Sequence, residues 1–509
     1  MSLTERISYR LSDDPRFGEV GTPRTVTDER YILEIAAEEE HITVVHSSNR
    51  GRHWGREHAR RLLAQGSLET SSVDQHPRFP VRGIIEGFYG EPWSHEQRLD
   101  MIRFLGSHRM NTFAYAPKDD PYCRRKWMEL YPTPLLNSLE DLVHEADACG
   151  VAIAYGLSPG LSIRYSDRAD VVRLVAKYRQ VASLGVRQFH LLLDDIPETL
   201  QHPSDRAMFP DLANAHVELI SQVRRALDEE DPGVHLAVCP TVYHGKGDEP
   251  YVAALGANTD PRVDLMWTGR AICSPELDLA DAALFARTTS RPVLYWDNYP
   301  VNDVAMTAEL HLGAYRGRDP HLFRFSRGVI ANPMDRPESS KIALATIADY
   351  LWDPESYDPD RSWDNAIEEV AGARDARALR LFADNVRTSC LEEADSLLLT
   401  EALQQLEFEE ELGDPKVGRL ALAELADQFI DAATSLLSPN VENSVLAAEI
   451  RPWVKVFATG AQQLRDMLDG KPSVADAHGA SASPAVFGDV LDMFVRSGPT
   501  PIDRSVDET

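Results

Sequence analysis

Eight short apolar runs, each followed by a helical pattern, constrain this chain more than any other feature. They are Arg82-Gly-Ile-Ile-Glu86, Asn111-Thr-Phe-Ala-Tyr-Ala116, Val151-Ala-Ile-Ala-Tyr-Gly156, Phe189-His-Leu-Leu-Leu-Asp194, His235-Leu-Ala-Val-Cys239, Val263-Asp-Leu-Met-Trp267, Pro292-Val-Leu-Tyr-Trp296 and Gly328-Val-Ile-Ala-Asn332. Short runs without polar alternation read as strands covered on both faces. Amphipathic stretches between them, such as Glu96–Leu105 and Asp170–Tyr178, read as crossover helices. Eight βα units in succession predict a closed (β/α)8 TIM barrel of the α/β class over residues 78–340. An open doubly wound sheet is disfavoured, because no Gly-rich phosphate loop follows the first strand.

The flanks read differently. Residues 1–77 predict a small α/β domain, with strands at Tyr31–Ile35 and Ile42–Val45, a basic amphipathic helix from Trp54, and a polar stretch at Ser71–Gln75. Residues 341–472 turn Leu- and Ala-rich and predict a helical bundle, with helices near 342–352, 363–388, 391–411, 417–437 and 443–468. Its apolar faces read most simply as bundle core and leave a homodimer open. Residues 473–509 are rich in Ala, Ser, Gly and Pro and predict a loosely ordered tail with a short helix at 486–495.

Composition narrows the partners. A formal net charge of -29 argues against nucleic acid and anionic membrane as ligands held by bulk charge. No apolar run is long enough to span a bilayer, and the first residues lack the apolar core of a secretion signal. The five cysteines are scattered without metal-ligand spacing and read as reduced thiols. A cytoplasmic location is the expectation. No cofactor and no metal site is expected, because the acidic residues show no ligand spacing.

In such a barrel, chemistry sits where strands end and loops begin. The fourth run ends in Asp194-Asp195-Ile-Pro197. Two neighbouring carboxyls repel, which favours one protonated and one charged, the pair that glycosidic cleavage needs. On these residues alone, a strand followed by an acidic helix cap fits equally well. The other strand ends bring Glu86–Gly90, Ala116–Asp120, Cys239–Tyr243, Trp267–Gly269, Trp296–Asp303 and Asn332. Carboxylates and amides satisfy hydroxyls, and aromatics cover a pyranose face, so the set suits a sugar. Singly, each Trp reads as core, Lys118 as a salt-bridge partner, and Asn298 and Asn332 as turn formers.

Gly83-Ile-Ile-Glu-Gly-Phe-Tyr-Gly-Glu-Pro-Trp93, Tyr115-Ala-Pro-Lys-Asp-Asp120, Leu157-Ser-Pro-Gly160, Asp194-Asp195 and Trp296-Asp-Asn298 together resemble glycoside hydrolase family 84, the β-N-acetylglucosaminidases that include the O-GlcNAcases. The resemblance implies a retaining exo-β-N-acetylglucosaminidase acting on terminal GlcNAc of a glycoside, glycan or glycoprotein. Catalysis would be substrate-assisted through an oxazoline. It implies that Asp194 polarises the acetamido N–H and that Asp195 is the general acid and then base. Asn298 would orient Asp194 or the acetamido group, and Cys239, Tyr243, Thr268 and Trp296 would wall the acetamide pocket. Gly87 and Lys118 would contact the hydroxyl at carbon three, and Asp303 and Asn332 those at carbons four and six. Val304 stands where the family commonly has tyrosine. Two other readings accompany this one: a GlcNAc-binding protein with little turnover, and a barrel hydrolase acting on chitin or hyaluronan fragments, which adjacent acids fit poorly.

Overall fold

The computed structural model describes residues 6–12, 29–65, 68–392 and 396–471. The expected tail and its helix at 486–495 lie outside the described residues. The chain divides into two compact units. The first comprises Met1–Asn298, Gly317–Asn332 and Ala348–Tyr357; the second comprises Tyr299–Arg316, Pro333–Ile347 and Asp358–Thr509.

The first unit opens with a four-stranded sheet of order β1-β3-β2-β4, from β1 (Ile7–Leu11), β2 (Tyr31–Ala36), β3 (His41–His46) and β4 (Ser71–Gln75). Helix α1 (Asn49–Gln65) covers it, burying Trp54 and Ala59 against Tyr31, Leu33, Ile42 and Val44. The stretch read from sequence as merely polar is therefore the edge strand β4, paired antiparallel with β2. An edge strand of this kind is held by its ladder and needs little apolar surface.

The eight expected runs form β5 (Val81–Glu86), β6 (Thr112–Tyr115), β7 (Ala152–Leu157), β8 (Gln188–Leu192), β9 (His235–Cys239), β10 (Asp264–Trp267), β11 (Val293–Asp297) and β12 (Ser326–Ala331). They close into an all-parallel barrel in chain order, β12 returning to β5. Helices α2 (His95–Ser107), α3 (Thr133–Ala148), α4 (Arg168–Ala182), α5 (Pro203–Met208), α6 (Leu212–Glu230), α7 (Pro250–Asn258), α8 (Leu279–Thr289) and α9 (Pro337–Trp352) follow the strands. Side-chain caps start several of them: Ser94 with Gln97 as a capping box, Asp167, Asp211 and Asp278. The barrel interior pairs small residues with large ones, Ala114, Ala154 and Ala237 beside Leu192, Met266, Leu294, Trp296 and Ile330. Register pairs Glu86 with Tyr115, Leu192 with Cys239 and Asp297 with Ala331, which brings these strand ends to one rim.

The second unit holds α10 (Pro359–Ala371), α11 (Ala376–Asp384), α12 (Leu397–Leu412), α13 (Lys416–Leu437) and α14 (Ser444–Leu468). Phe382, Phe429 and Phe457 meet at its core. The span expected as one helix, 363–388, is two helices, because Gly372 turns the chain at φ 83°. Among the described residues, no helix is long and apolar enough to cross a membrane.

Candidate active site

The site is built on the end of β8. Beyond Leu192 the chain stays pinned to the end of β9: Leu193 N donates to Cys239 O at 2.8 Å, and Thr241 Oγ1 donates to Leu193 O at 2.7 Å. Neighbouring side chains on an extended strand point to opposite faces. The chain escapes that rule at Asp195, whose φ of 54° lies in the left-handed region. Aspartate tolerates this conformation better than most residues. Both carboxyls then serve one place, since the Lys118 ammonium lies 2.6 Å from Asp194 Oδ2 and 3.9 Å from Asp195 Oδ2.

The two acids sit in different surroundings. The Asp194 side chain is 6% exposed and that of Asp195 34%. Asp194 Oδ2 takes the bond from Lys118, whereas its Oδ1 is buried and has no hydrogen-bond partner among the described residues. Burial alone would discharge Lys118, but Asp194, Tyr89 and Asp195 together outweigh it, and the ammonium's pKa stands above its ordinary value. The loop carrying Lys118 is fixed by Asp120, which accepts from the hydroxyls of Tyr115 (2.8 Å) and Tyr131 (2.7 Å) and from Tyr122 N (2.8 Å). Burial, reinforced by the charge of Asp194, pushes the Cys239 thiol well up, so it stays neutral as part of the wall.

Asp195 is held by two phenols. Tyr89 donates to Oδ2 at 2.7 Å and Tyr243 donates to Oδ1 at 3.0 Å. Burial raises both phenols above their ordinary pKa, and the carboxylate of Asp195 adds to this at Tyr243, so both remain donors. The loop of Tyr243 is tied down by Thr268, whose N donates to Tyr243 O at 2.8 Å. The Thr268 hydroxyl donates to Ala271 O at 2.6 Å and lies 3.4 Å from Tyr243 O.

Trp296 forms the opposite side. Its Nε1 donates to Asn298 Oδ1 at 2.9 Å, and Asn332 Nδ2 donates to the same oxygen at 3.0 Å. Asn298 Nδ2 donates to Ile272 O at 2.9 Å. Gly87 lies against the indole: a Cβ there would stand 2.7 Å from Trp296 Cζ2, so glycine is the residue that lets the strand-one loop approach. Lys118 Nζ lies 5.6 Å from the Trp296 ring centre and 5.3 Å from that of Tyr89.

Asp194, Asp195, Lys118, Cys239 and Tyr243 thus share one cluster, with Gly87, Trp296, Asn298 and Asn332 beside it and Thr268 behind Tyr243. Of the two partners expected for Asn298, Asp194 is held by Lys118 instead, and the acetamido group stays open, with the Asn298 oxygen on Trp296 and Asn332. Asp303 belongs to the second unit, where it precedes a short turn at Val304–Met306. Val304 is 71% exposed there. Tyr89 and Arg124 carry contacts that the sequence reading assigned to neither, although Tyr89 lies inside the Glu86–Gly90 motif. Among the described residues, no group of three or more His, Cys, Asp or Glu side chains is placed to hold a metal.

The arrangement offers one buried carboxylate oxygen for a donor such as an amide N–H, a second carboxyl at the mouth, and an aromatic wall. The chain is similar to proteins of known activity. The beta-N-acetylglucosaminidase family profile matches residues 82–384. The protein O-GlcNAcases of Rattus norvegicus and Mus musculus are each 33% identical over 272 residues, 52% of this chain and 29% of each relative's length. An O-GlcNAc hydrolase mutant from Thermobaculum terrenum superposes with a TM-score of 0.77 at 31% identity, covering 82% of this chain and 94% of that one. The structure of CpGH84B superposes with a TM-score of 0.80 at 25% identity, covering 94% and 87%. The chain belongs to the β-N-acetylglucosaminidase family, glycoside hydrolase family 84.

Proposed function

We propose that this chain is a retaining exo-β-N-acetylglucosaminidase that cleaves terminal β-linked GlcNAc by substrate-assisted catalysis. One observation carries the reading: Asp194 has one oxygen locked by Lys118 and the other buried and unpartnered among the described residues. A buried acceptor left empty is costly unless a ligand fills it, and the acetamido N–H of GlcNAc is a donor of the right kind. With that N–H held, the acetamido oxygen attacks the anomeric carbon as the bond to the leaving oxygen breaks. Asp195 delivers its proton to that oxygen, and an oxazoline forms. Asp195 then takes a proton from water, which opens the oxazoline at the anomeric carbon and restores the β configuration. The substrate supplies the nucleophile, unlike the common two-carboxylate retaining scheme.

The aglycone is proposed as protein, glycan or small molecule without distinction. A reducing compartment, the cytoplasm, belongs to the same reading, since it suits the free thiols of Cys123, Cys149 and Cys239. The test is turnover of aryl β-N-acetylglucosaminides whose acetyl group carries zero to three fluorines, with the aryl β-glucoside as control. Each fluorine weakens the attacking oxygen, so kcat/KM should fall stepwise. Equal rates along the series would overturn participation. Binding of GlcNAc with no turnover of any substrate would favour a sugar-binding protein.

A further inference from the structure

We propose that Arg124 and Tyr89 form a positioning pair, Arg124 acting through the phenol to orient the Asp195 carboxyl and to favour, without fixing, its charged form. The inference rests on the reading of Asp195 as the acid and base of the reaction. Arg124 Nη1 donates to the Tyr89 hydroxyl oxygen at 3.1 Å, and that hydroxyl donates to Asp195 Oδ2 at 2.7 Å. The Arg124 guanidinium carbon also lies 5.4 Å from the Tyr89 ring centre. A phenol that accepts from a cation while donating to an anion is polarised in the direction that strengthens its own donation. The charge of Arg124 therefore reaches Asp195 across one hydroxyl.

The other carboxylate oxygen takes Tyr243, whose hydroxyl has Asp195 as its one hydrogen-bond partner among the described residues. The two oxygens of Asp195 are thus unequal: one faces a phenol backed by a cation, the other a bare phenol. The charged and titratable groups around Asp195 are Asp194 beside it in the chain, Lys118 from the loop after β6, Cys239 and Tyr243 from the end of β9, and Tyr89 with Arg124 behind it. A carboxyl that must give a proton and then take one works best when neither form dominates. Arg124 weights the charged form, which serves the step in which water is deprotonated.

The variants Tyr89→Phe, Arg124→Met, Arg124→Lys and the double Tyr89→Phe/Arg124→Met test this. The readout is the pH profile of kcat/KM on an aryl β-N-acetylglucosaminide with a poor leaving group. Arg124→Met should move the alkaline limb upward by roughly one pH unit, and Arg124→Lys should recover part of the shift. The double variant should match Tyr89→Phe alone, because Arg124 has nothing to act on once the hydroxyl is gone. An unmoved limb in Arg124→Met, or losses that add in the double variant, would overturn the pair. Titration of the Asp195 carboxyl by carbon-13 NMR, assigned with Asp195→Asn, reads the same coupling without turnover. A protein inactive on every substrate that still shows the shift would sink the proposed function and keep the pair.

Discussion

The floor and the mouth of the barrel each bury a carboxylate beside a cation, and they treat it differently. At the floor Glu29 takes Arg82, with Arg50 and Asn111 at 3.0 Å and Trp54 at 3.3 Å. Burial alone would raise its pKa, yet Arg82 and Arg50 hold it at about 2. Arg82 is satisfied in turn by the carbonyls of Arg109 and Phe79. At the mouth Asp194 takes Lys118 and nothing else among the described residues. A saturated pair ties strand starts to the preceding domain; an unsaturated one costs stability and keeps a place for a ligand. Between these two acids, the number of donors, more than burial or the cation, separates scaffold from site.

The contrast can be broken from either end. Asp195→Asn should lower kcat/KM about 10²–10⁴-fold on substrates with poor leaving groups and far less on activated aryl glycosides; equal losses on both would remove Asp195 as the acid. Asp194→Asn should cost roughly 10²–10³-fold whatever the leaving group, with melting temperature unchanged or raised. A protein that unfolds instead would make Asp194 part of the scaffold. Arg82→Met leaves Glu29 buried beside fewer cations and should destabilise by about 3–5 kcal/mol, read as a lower denaturant midpoint, with KM preserved in the folded fraction. Gly87→Ala should cost about 1–3 kcal/mol through its clash with Trp296 and should raise KM; an unchanged KM would show that Trp296 does not touch the sugar.

Acid loads the scaffold through buried histidines. Burial pushes His58, His190 and His216 down to about 3. All three bind protons more readily unfolded, where their pKa is about 6.5. Between about pH 6.5 and 3 the unfolded chain therefore carries more protons, and stability falls steadily on acidification. Glu29 adds to the loss below about pH 4.5, its contribution disappearing as the pH approaches 2. Denaturant midpoints measured from pH 8 to pH 4 should decline; a flat line would mean that these histidines are solvated.

The barrel was legible because all eight strands are covered on both faces and so appear as unbroken apolar runs. β4 escaped because an edge strand with one half-buried valine has no such signature. The break at Gly372 escaped because Ala371 and Ala373 on either side of it read as helix. At the site, the adjacent aspartates announced themselves. Lys118 did not reveal from sequence that it meets the Asp194 carboxylate, since a lysine suits sugar and carboxylate alike. Asn298 was expected by resemblance to orient Asp194 or the acetamido group, while the indole two residues earlier donates to its oxygen. Tyr89 and Arg124 lie 35 residues apart, and no periodicity links a phenol to a guanidinium across two loops.

The left-handed turn at Asp195 has a consequence for anyone wishing to move this chemistry elsewhere. The working distance between the two acids is stored in a single backbone torsion, and two aspartates grafted onto the end of a regular strand would face away from each other. A transplant must carry the bend with the residues, including the bonds from Leu193 and Thr241 that hold the chain in place on either side. By the same reasoning, one residue inserted between Leu192 and Pro197 would silence the pair while leaving every participating side chain present.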